Sequence, residues 1–220
     1  MTYAQIAGNK NSVWDYEFAM SFAAASLLID RLEASWRQRG GEVAVEVLQR
    51  LAEQDISEAA FTQPKPATLP VVRYYKNCAQ GAEGLLGIEP HLQWRQSSYT
   101  DAQMGDGFTA NYGWCQLIGP RGFFPGHDFL LGLLMLGPHQ HYRDHYHPAP
   151  ELYWPLTGGT QWRREPDGFT EKPAGSLIWH RPNQIHAMKT GDQPLLAVWC
   201  WTRDTNTPAR PVVQPELRMS

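Results

Sequence analysis

The stretch PHQHYRDHYHPAPELYWPLTGG, residues 138–159, decides how this chain is read. It contains His145-x-His147-x3-Glu151, and after six further residues comes Gly158. Two imidazoles and a carboxylate therefore fall within seven residues. In an extended segment, side chains two apart point to one face. His145 and His147 should then face the same side, and a turn through Pro148, Ala149 and Pro150 can return Glu151 to join them. Neutral imidazole nitrogens with one carboxylate suit a single divalent metal ion: Zn²⁺ first, with Fe²⁺, Mn²⁺ or Ni²⁺ as alternatives. A further ligand is expected downstream. Gly175 opens a strand there, and His186 follows eleven residues later, beyond the turn Arg181-Pro182-Asn183.

The rest of the chain reads as a frame for that cluster. At 220 residues and with 42% hydrophobic residues it can bury a substantial core. A net charge of −3 argues against a nucleic-acid or anionic-membrane partner held by bulk charge. Cys78, Cys115 and Cys200 are odd in number and widely spaced, which disfavours a disulfide framework or a thiolate zinc site and fits a reducing compartment. No cationic segment leads into an apolar run at the N-terminus, and the longest apolar run, residues 129–136, is too short to span a bilayer. A soluble, cytoplasmic protein is expected.

Residues 11–39 predict an amphipathic helix, with Ser12 to Asp15 as a capping box and Trp14, Phe18, Phe22, Ala25, Ile29, Leu32 and Trp36 as its buried stripe. Gly40-Gly41 ends it, and a second helix is expected over residues 42–54. Residues 63–70, with three prolines, read as a linker, and residues 71–86 as helix broken by glycine. From about residue 90 the texture changes to short β-rich runs: 92–95, 110–118, 129–136, 151–156, 161–163, 176–179, 185–189 and 195–202. Closely spaced short strands argue for an all-β sandwich or barrel. The expected organisation is an N-terminal helical segment, 1–89, packed on a β-barrel, 90–220, that carries the metal site.

The two ligand segments resemble the paired motifs of the cupin superfamily. The first, G-x5-H-x-H-x3-4-E-x6-G, is met by His145, His147, Glu151 and Gly158, although Gly137 lies eight residues before His145 where the family has six. The second, G-x5-P-x-G-x2-H-x3-N, is met by Gly175 and His186, with Arg181, Asn183 and Thr190 in place of Pro, Gly and Asn. The resemblance, over about residues 137–190, implies a mainly β fold, a double-stranded β-helix (cupin) barrel. It also implies that His145, His147, Glu151 and His186 hold the metal at the barrel mouth, and it makes a homodimer paired through barrel faces plausible.

Within that superfamily the chain resembles the bacterial cupin-type dimethylsulfoniopropionate (DMSP) lyases. The matching features are Tyr142 just before the ligands, the H-x-H-x3-E-x-Y run of His145, His147, Glu151 and Tyr153, and the downstream His186. Carried over, the resemblance makes Tyr153 the base, with Tyr142 as a second pocket tyrosine that can take that role instead. It implies DMSP as the small-molecule substrate and cleavage to dimethyl sulfide and acrylate. Aromatic faces tolerate a sulfonium cation, so Trp162, Trp179, Trp199 and Trp201 are candidate substrate-binding residues together with His141. Trp154 alternates out of phase with Tyr153 and is expected outside, against the helices, while His180, His127 and His91 read as loop or surface residues. The competing expectations are another metal-dependent cupin enzyme, a dioxygenase or isomerase of a small polar acid, and a non-enzymatic binder of small ligands.

Overall fold

Two five-stranded antiparallel sheets face each other, and a layer of helices covers the outer face of the first. A computed structural model describes residues 13–57, 69–80 and 84–212, with side chains from Phe22 onward. The capping residue Ser12, the side chains of Trp14 and Phe18, and residues 63–68 of the expected linker lie outside the described residues.

Helix α1 spans Val13–Arg39 and α2 spans Glu42–Ala52. Between them Gly40 and Gly41 adopt φ of 68° and 90°, backbone open to glycine at little cost. Ala25, Ile29, Leu32 and Trp36 are buried at three- and four-residue spacing along α1, as are Ala44, Val47 and Leu51 along α2. Residues 71–86, expected as broken helix, form a 3₁₀ turn Pro70–Tyr74, a single turn α3 (Tyr75–Cys78) and the start of α4 (Leu85–Ile88). Another single turn, α5 (Asp101–Met104), is closed by a capping box between Thr100 and Gln103.

The strands are β1 (Tyr112–Ile118), β2 (Leu130–Leu136), β3 (His141–Tyr146), β4 (Glu151–Pro155), β5 (Thr160–Arg164), β6 (Thr170–Lys172), β7 (Ile178–His180), β8 (His186–Thr190), β9 (Leu195–Trp201) and β10 (Arg210–Pro211). They form sheets of order β1-β2-β9-β4-β7 and β10-β3-β8-β5-β6. The mainly β, double-stranded β-helix fold expected from the sequence is the fold observed. Residues 92–95 depart from expectation: they form no strand, only an isolated bridge between Arg95 and Trp114. Strands β3, β6 and β10 carry the polar sequences HYRDHY, TEK and RP, whose order comes from pairing with neighbours and not from an apolar pattern.

The first sheet is buried on both faces, which is why β2 reads as an unbroken apolar run, LLGLLML. Its outer face packs Leu131, Leu133, Leu152, Trp154 and Val198 against the helices, and the Trp36 and Trp154 rings lie 5.6 Å apart. Its inner face packs Leu134, Tyr153, Ala197 and Trp199 against Tyr142, Trp162 and Met188 of the second sheet. Gly132 is required at this junction: a Cβ there would lie 1.9 Å from the Cys115 carbonyl and 2.9 Å from the Trp199 ring. The motif departures are also accommodated. Asn183, standing for glycine, takes φ of 58°, which Asn tolerates. Thr190, standing for asparagine, donates its hydroxyl to the Gly137 carbonyl at 2.6 Å and accepts from the Gln140 N–H at 2.9 Å, fixing the chain just ahead of β3.

Candidate functional site

The antiparallel register brings the two motif halves together. His145 on β3 pairs directly with His186 on β8, and Glu151 on β4 lies between His180 on β7 and Trp201 on β9. The turn through residues 148–150 returns Glu151 beneath His147, whose Nε2 lies 3.2 Å from Glu151 Oε2. His186 Nε2 lies 3.3 Å from the same oxygen and His180 Nδ1 3.4 Å. The Trp201 indole N–H donates to the other carboxylate oxygen, Oε1, at 2.8 Å. Glu151 is only 3% exposed, so this is a buried carboxylate among three imidazoles and an indole.

Backbone carbonyls fix the tautomers. A carbonyl can only accept, so each ring nitrogen bonded to one must donate. His145 Nδ1 faces the Arg143 carbonyl, His147 Nδ1 the Ala149 carbonyl and His186 Nδ1 the Gln184 carbonyl, at 2.8 to 2.9 Å. In neutral rings the Nε2 lone pairs of His147 and His186 then point at a carboxylate oxygen that is also an acceptor. Acceptor against acceptor is stable only with positive charge between them, a proton or a cation. The spacing suits a cation. Donor atoms held about 2.0–2.2 Å from a zinc ion at tetrahedral angles stand roughly 3.3–3.6 Å apart, close to the separations seen. Among the described residues, His147, Glu151 and His186 offer ligand atoms that all lie within 4.8 Å of one another. The Nδ1 anchors are the outer-sphere orientation that metal-ligating histidines use.

His145, expected as a ligand with the others, stands at the edge of this group. Its ring stacks on Tyr142, centroids 3.8 Å apart and planes within 4°, and meets the His186 ring at 4.1 Å. His180 corrects the sequence reading, which placed it on the surface. It is 1% exposed, stacks on His186 with centroids 3.9 Å apart, and its Nε2 has no hydrogen-bond partner among the described residues. No motif position marked it. The available signal was alternation, since β7 pairs Leu152 with Trp179 and so turns His180 to the side of Glu151.

The electrostatics follow from burial. Burial alone would raise the Glu151 pKa, but with a proton between the rings and the carboxylate the charge of His147 and hydrogen bonds from His147, His180 and His186 outweigh it and hold the carboxyl well below its usual range. Burial, then the charge of His186, pulls His180 down to about 3. Burial, then the Glu151 charge, holds the Tyr153 phenol well above its usual value. Tyr142 is raised likewise by burial and then by Tyr112, and its hydroxyl donates to Tyr99 at 3.1 Å.

The cluster floors a cavity of about 720 Å³. His145, His147, Glu151, Tyr142 and Tyr153 line it, with Trp114, Trp199 and Trp201 along one wall. Trp199 stands edge-on to Trp114 and to Trp201, centroids 6.0 and 5.9 Å apart. The other aromatic candidates lie elsewhere. Trp162 packs beneath Tyr153 at 5.1 Å and does not reach the cavity surface. Trp179 packs with the outer, helix-facing core, because it pairs with Leu152 and shares its side of the sheet. His141 points away from the cavity, its ring 5.7 Å from Phe169. Trp114, Tyr112 and Tyr99 were not singled out from sequence, since nothing in their spacing ties them to the ligands.

The sequence profile of the dimethylsulfoniopropionate lyase family matches residues 41–197, more than half of the chain. This chain belongs to that family. A Cereibacter sphaeroides protein carrying the name dimethylsulfoniopropionate lyase DddL is 30% identical over 129 residues, 58% of this chain and 53% of that one. The dimethylsulfoniopropionate lyase DddQ of Ruegeria pomeroyi is 28% identical over 115 residues, 52% of this chain and 57% of that one. The matches thus span little more than half the length of either relative. The crystal structure of Ruegeria pomeroyi DddQ superimposes with a TM-score of 0.68 at 21% identity, over 86% of this chain and 96% of that one. A structure described with the DMSP lyases RdDddP and RnDddQII gives 0.70 at 24% identity, over 88% and 100%. At these identities the superpositions show a shared fold over 86–88% of this chain.

Proposed function

We propose that this protein is a metal-dependent carbon–sulfur lyase that cleaves DMSP to dimethyl sulfide and acrylate by tyrosine-initiated β-elimination. The carrying observation is the buried His147–Glu151–His186 group at a cavity lined by His147, Glu151 and Tyr153, with Glu151 and Tyr153 on the same face of β4. Family membership supports the substrate.

His147, Glu151 and His186 would hold one divalent ion, with His145 beside them as a fourth ligand or an immediate neighbour. Bound there, a divalent cation supplies Lewis-acid stabilisation of negative charge developing on the substrate carboxylate. The chain's own residues do the rest. Tyr153 takes the α-proton onto its phenolate oxygen; the C–H electron pair becomes the new Cα=Cβ bond, and the Cβ–S pair leaves with neutral dimethyl sulfide. No general acid is needed. Burial and Glu151 keep the phenol protonated in the bare protein, and positive charge nearby favours the phenolate the reaction requires. Trp114, Trp199 and Trp201 offer ring faces to the sulfonium, each cation–π contact contributing about 0.5–2 kcal/mol, and their wall excludes water from the reacting carbon.

Purified protein of known metal content is incubated with DMSP and the headspace assayed for dimethyl sulfide. Release, abolished by a chelator and by Tyr153→Phe with metal content retained, is the expected result. No release from metal-loaded protein would overturn the assignment. Activity that requires O₂ would instead favour the oxygenase reading.

A further inference from the structure

Helix α2 ends in a polar edge. Glu46, Arg50 and, just beyond the helix, Gln54 recur every four residues and so share one side. Each reaches a loop distant in sequence. The Arg50 guanidinium donates to the Thr202 carbonyl at 2.7 Å and to the Asp128 carbonyl at 3.1 Å. Glu46 accepts from the Thr202 hydroxyl at 2.8 Å and from Arg203 at 2.7 Å. The Gln54 side-chain oxygen accepts from the His127 N–H at 2.8 Å.

Those two loops are the rim of the cavity. Gly126 and Asp128 line it from one, Thr205 and Asn206 from the other. Asp128 also ties the loops together, its carboxylate accepting from the Thr205 N–H at 3.0 Å and the Thr205 hydroxyl at 3.2 Å. Neither loop belongs to a strand ladder, and Asp128 holds φ of 48°, a conformation L side chains rarely adopt unaided. Thr202 directly follows Trp201, whose indole holds Glu151, and its N–H donates to the Pro150 carbonyl at 3.2 Å. The helix therefore grips the chain one residue from a wall of the candidate centre.

We propose that the Glu46–Arg50–Gln54 edge of α2 positions the cavity rim, and that Arg50 is a positioning residue for substrate binding, acting through the loops at residues 126–128 and 202–206. A guanidinium can bridge two carbonyls in this way because its planar fork presents several donors at fixed angles. The α2 layer would then do more than bury the outer face of the sheet. It sets the shape of the opening on the opposite face.

The test is amide hydrogen exchange on the full chain, wild type against Arg50→Met, which keeps the apolar stem and removes the donors. Glu53→Gln is the control, because Glu53 pairs with Arg50 on the exposed side and, among the described residues, makes no hydrogen bond to either loop. Arg50→Met should speed exchange at His127, Thr202 and Thr205 roughly tenfold, about the worth of one charge-assisted hydrogen bond, with β2 and β9 little changed. The KM for DMSP should rise by a similar factor with kcat nearly preserved, and Glu53→Gln should match wild type. Unchanged rim exchange, or an increase shared equally by β2 and β9, overturns the proposal. The KM measurement rests on the DMSP reading and the exchange measurement does not. If wild type releases no dimethyl sulfide, that reading falls and exchange alone decides. Should Arg50→Met fail to fold, Gln54→Met applies the same criterion at His127.

Discussion

Strand β4 separates two regions built on different physics. Leu152 and Trp154 face the helices; Glu151 and Tyr153 face the cavity. On the helical side, stability comes from apolar area removed from water, with Trp36 packed on Trp154 and the Arg39 guanidinium 5.5 Å from the Trp154 ring. On the cavity side a carboxylate and three histidines are buried together, an arrangement that costs desolvation and is stable only when its charges and lone pairs are matched. One strand thus holds a face whose loss unfolds the protein and a face whose loss should disable the site and leave the fold.

The sharpest way to break that contrast is to truncate one side chain on each face. Trp36→Ala empties a fully buried site against Trp154 and should cost about 3–5 kcal/mol in urea denaturation, with the metal content of the folded fraction unchanged. A cost below about 1 kcal/mol would mean that the outer face is not a packed core. Glu151→Gln should do the reverse. It removes the charge that two Nε2 lone pairs converge on, so metal affinity measured against a competing chelator should fall more than roughly 100-fold, beyond what loss of an outer-sphere partner causes. The far-UV spectrum should stay native. Equal metal affinity in the two forms would remove Glu151 from the ligand set.

The outer face and the clustering of His145, His147 and Glu151 were legible in the sequence; much of the cavity was not. The stripe through Ala25, Ile29, Leu32 and Trp36 is a local helical period, and His145, His147 and Glu151 sit within one turn of chain. Alternation along β4 placed Tyr153 with Glu151 and Trp154 on the other side. His180 and Trp114 escaped because their relation to the site is set by register between strands far apart in sequence. Trp179 was misplaced for the same reason: which face of a three-residue strand points inward is fixed by its pairing with Leu152, not by its own pattern. Strand β3 shows the converse limit. Its residues are polar throughout, yet five of the site's side chains are carried on it, on the turn after it or at the start of β4.

Trp201→Phe sharpens the contrast further, because Trp201 is apolar in its ring and polar at one atom of the site. Phenylalanine keeps ring packing against Trp199 and His147 but loses the N–H that holds Glu151 Oε1 at 2.8 Å. If that bond orients the carboxylate, metal affinity should fall about 10–100-fold while denaturation shifts by no more than one hydrogen bond, about 0.5–1.5 kcal/mol. A variant with wild-type metal affinity but a raised KM would make Trp201 a wall for substrate only.

The smallest effect is expected at Tyr99, and it bears on which phenol is the base. Tyr142 donates to Tyr99 at 3.1 Å, within a cluster where Tyr99 stands edge to face with Phe108 and Tyr142, Tyr142 edge to face with Tyr112, and Phe108 stacks on Tyr112. Tyr99→Phe keeps those ring contacts and removes the acceptor, leaving the Tyr142 hydroxyl to find another partner in a buried site, at a cost of about 1 kcal/mol in stability. If Tyr153 takes the proton, kcat for DMSP should stay near wild type, because no hydrogen bond links Tyr99 to Tyr153 or to the ligands. A fall in kcat of about tenfold or more, equivalent to at least 1.4 kcal/mol of transition-state stabilisation, would transfer the base role to Tyr142, whose ring lies flat on His145 at the edge of the ligand group.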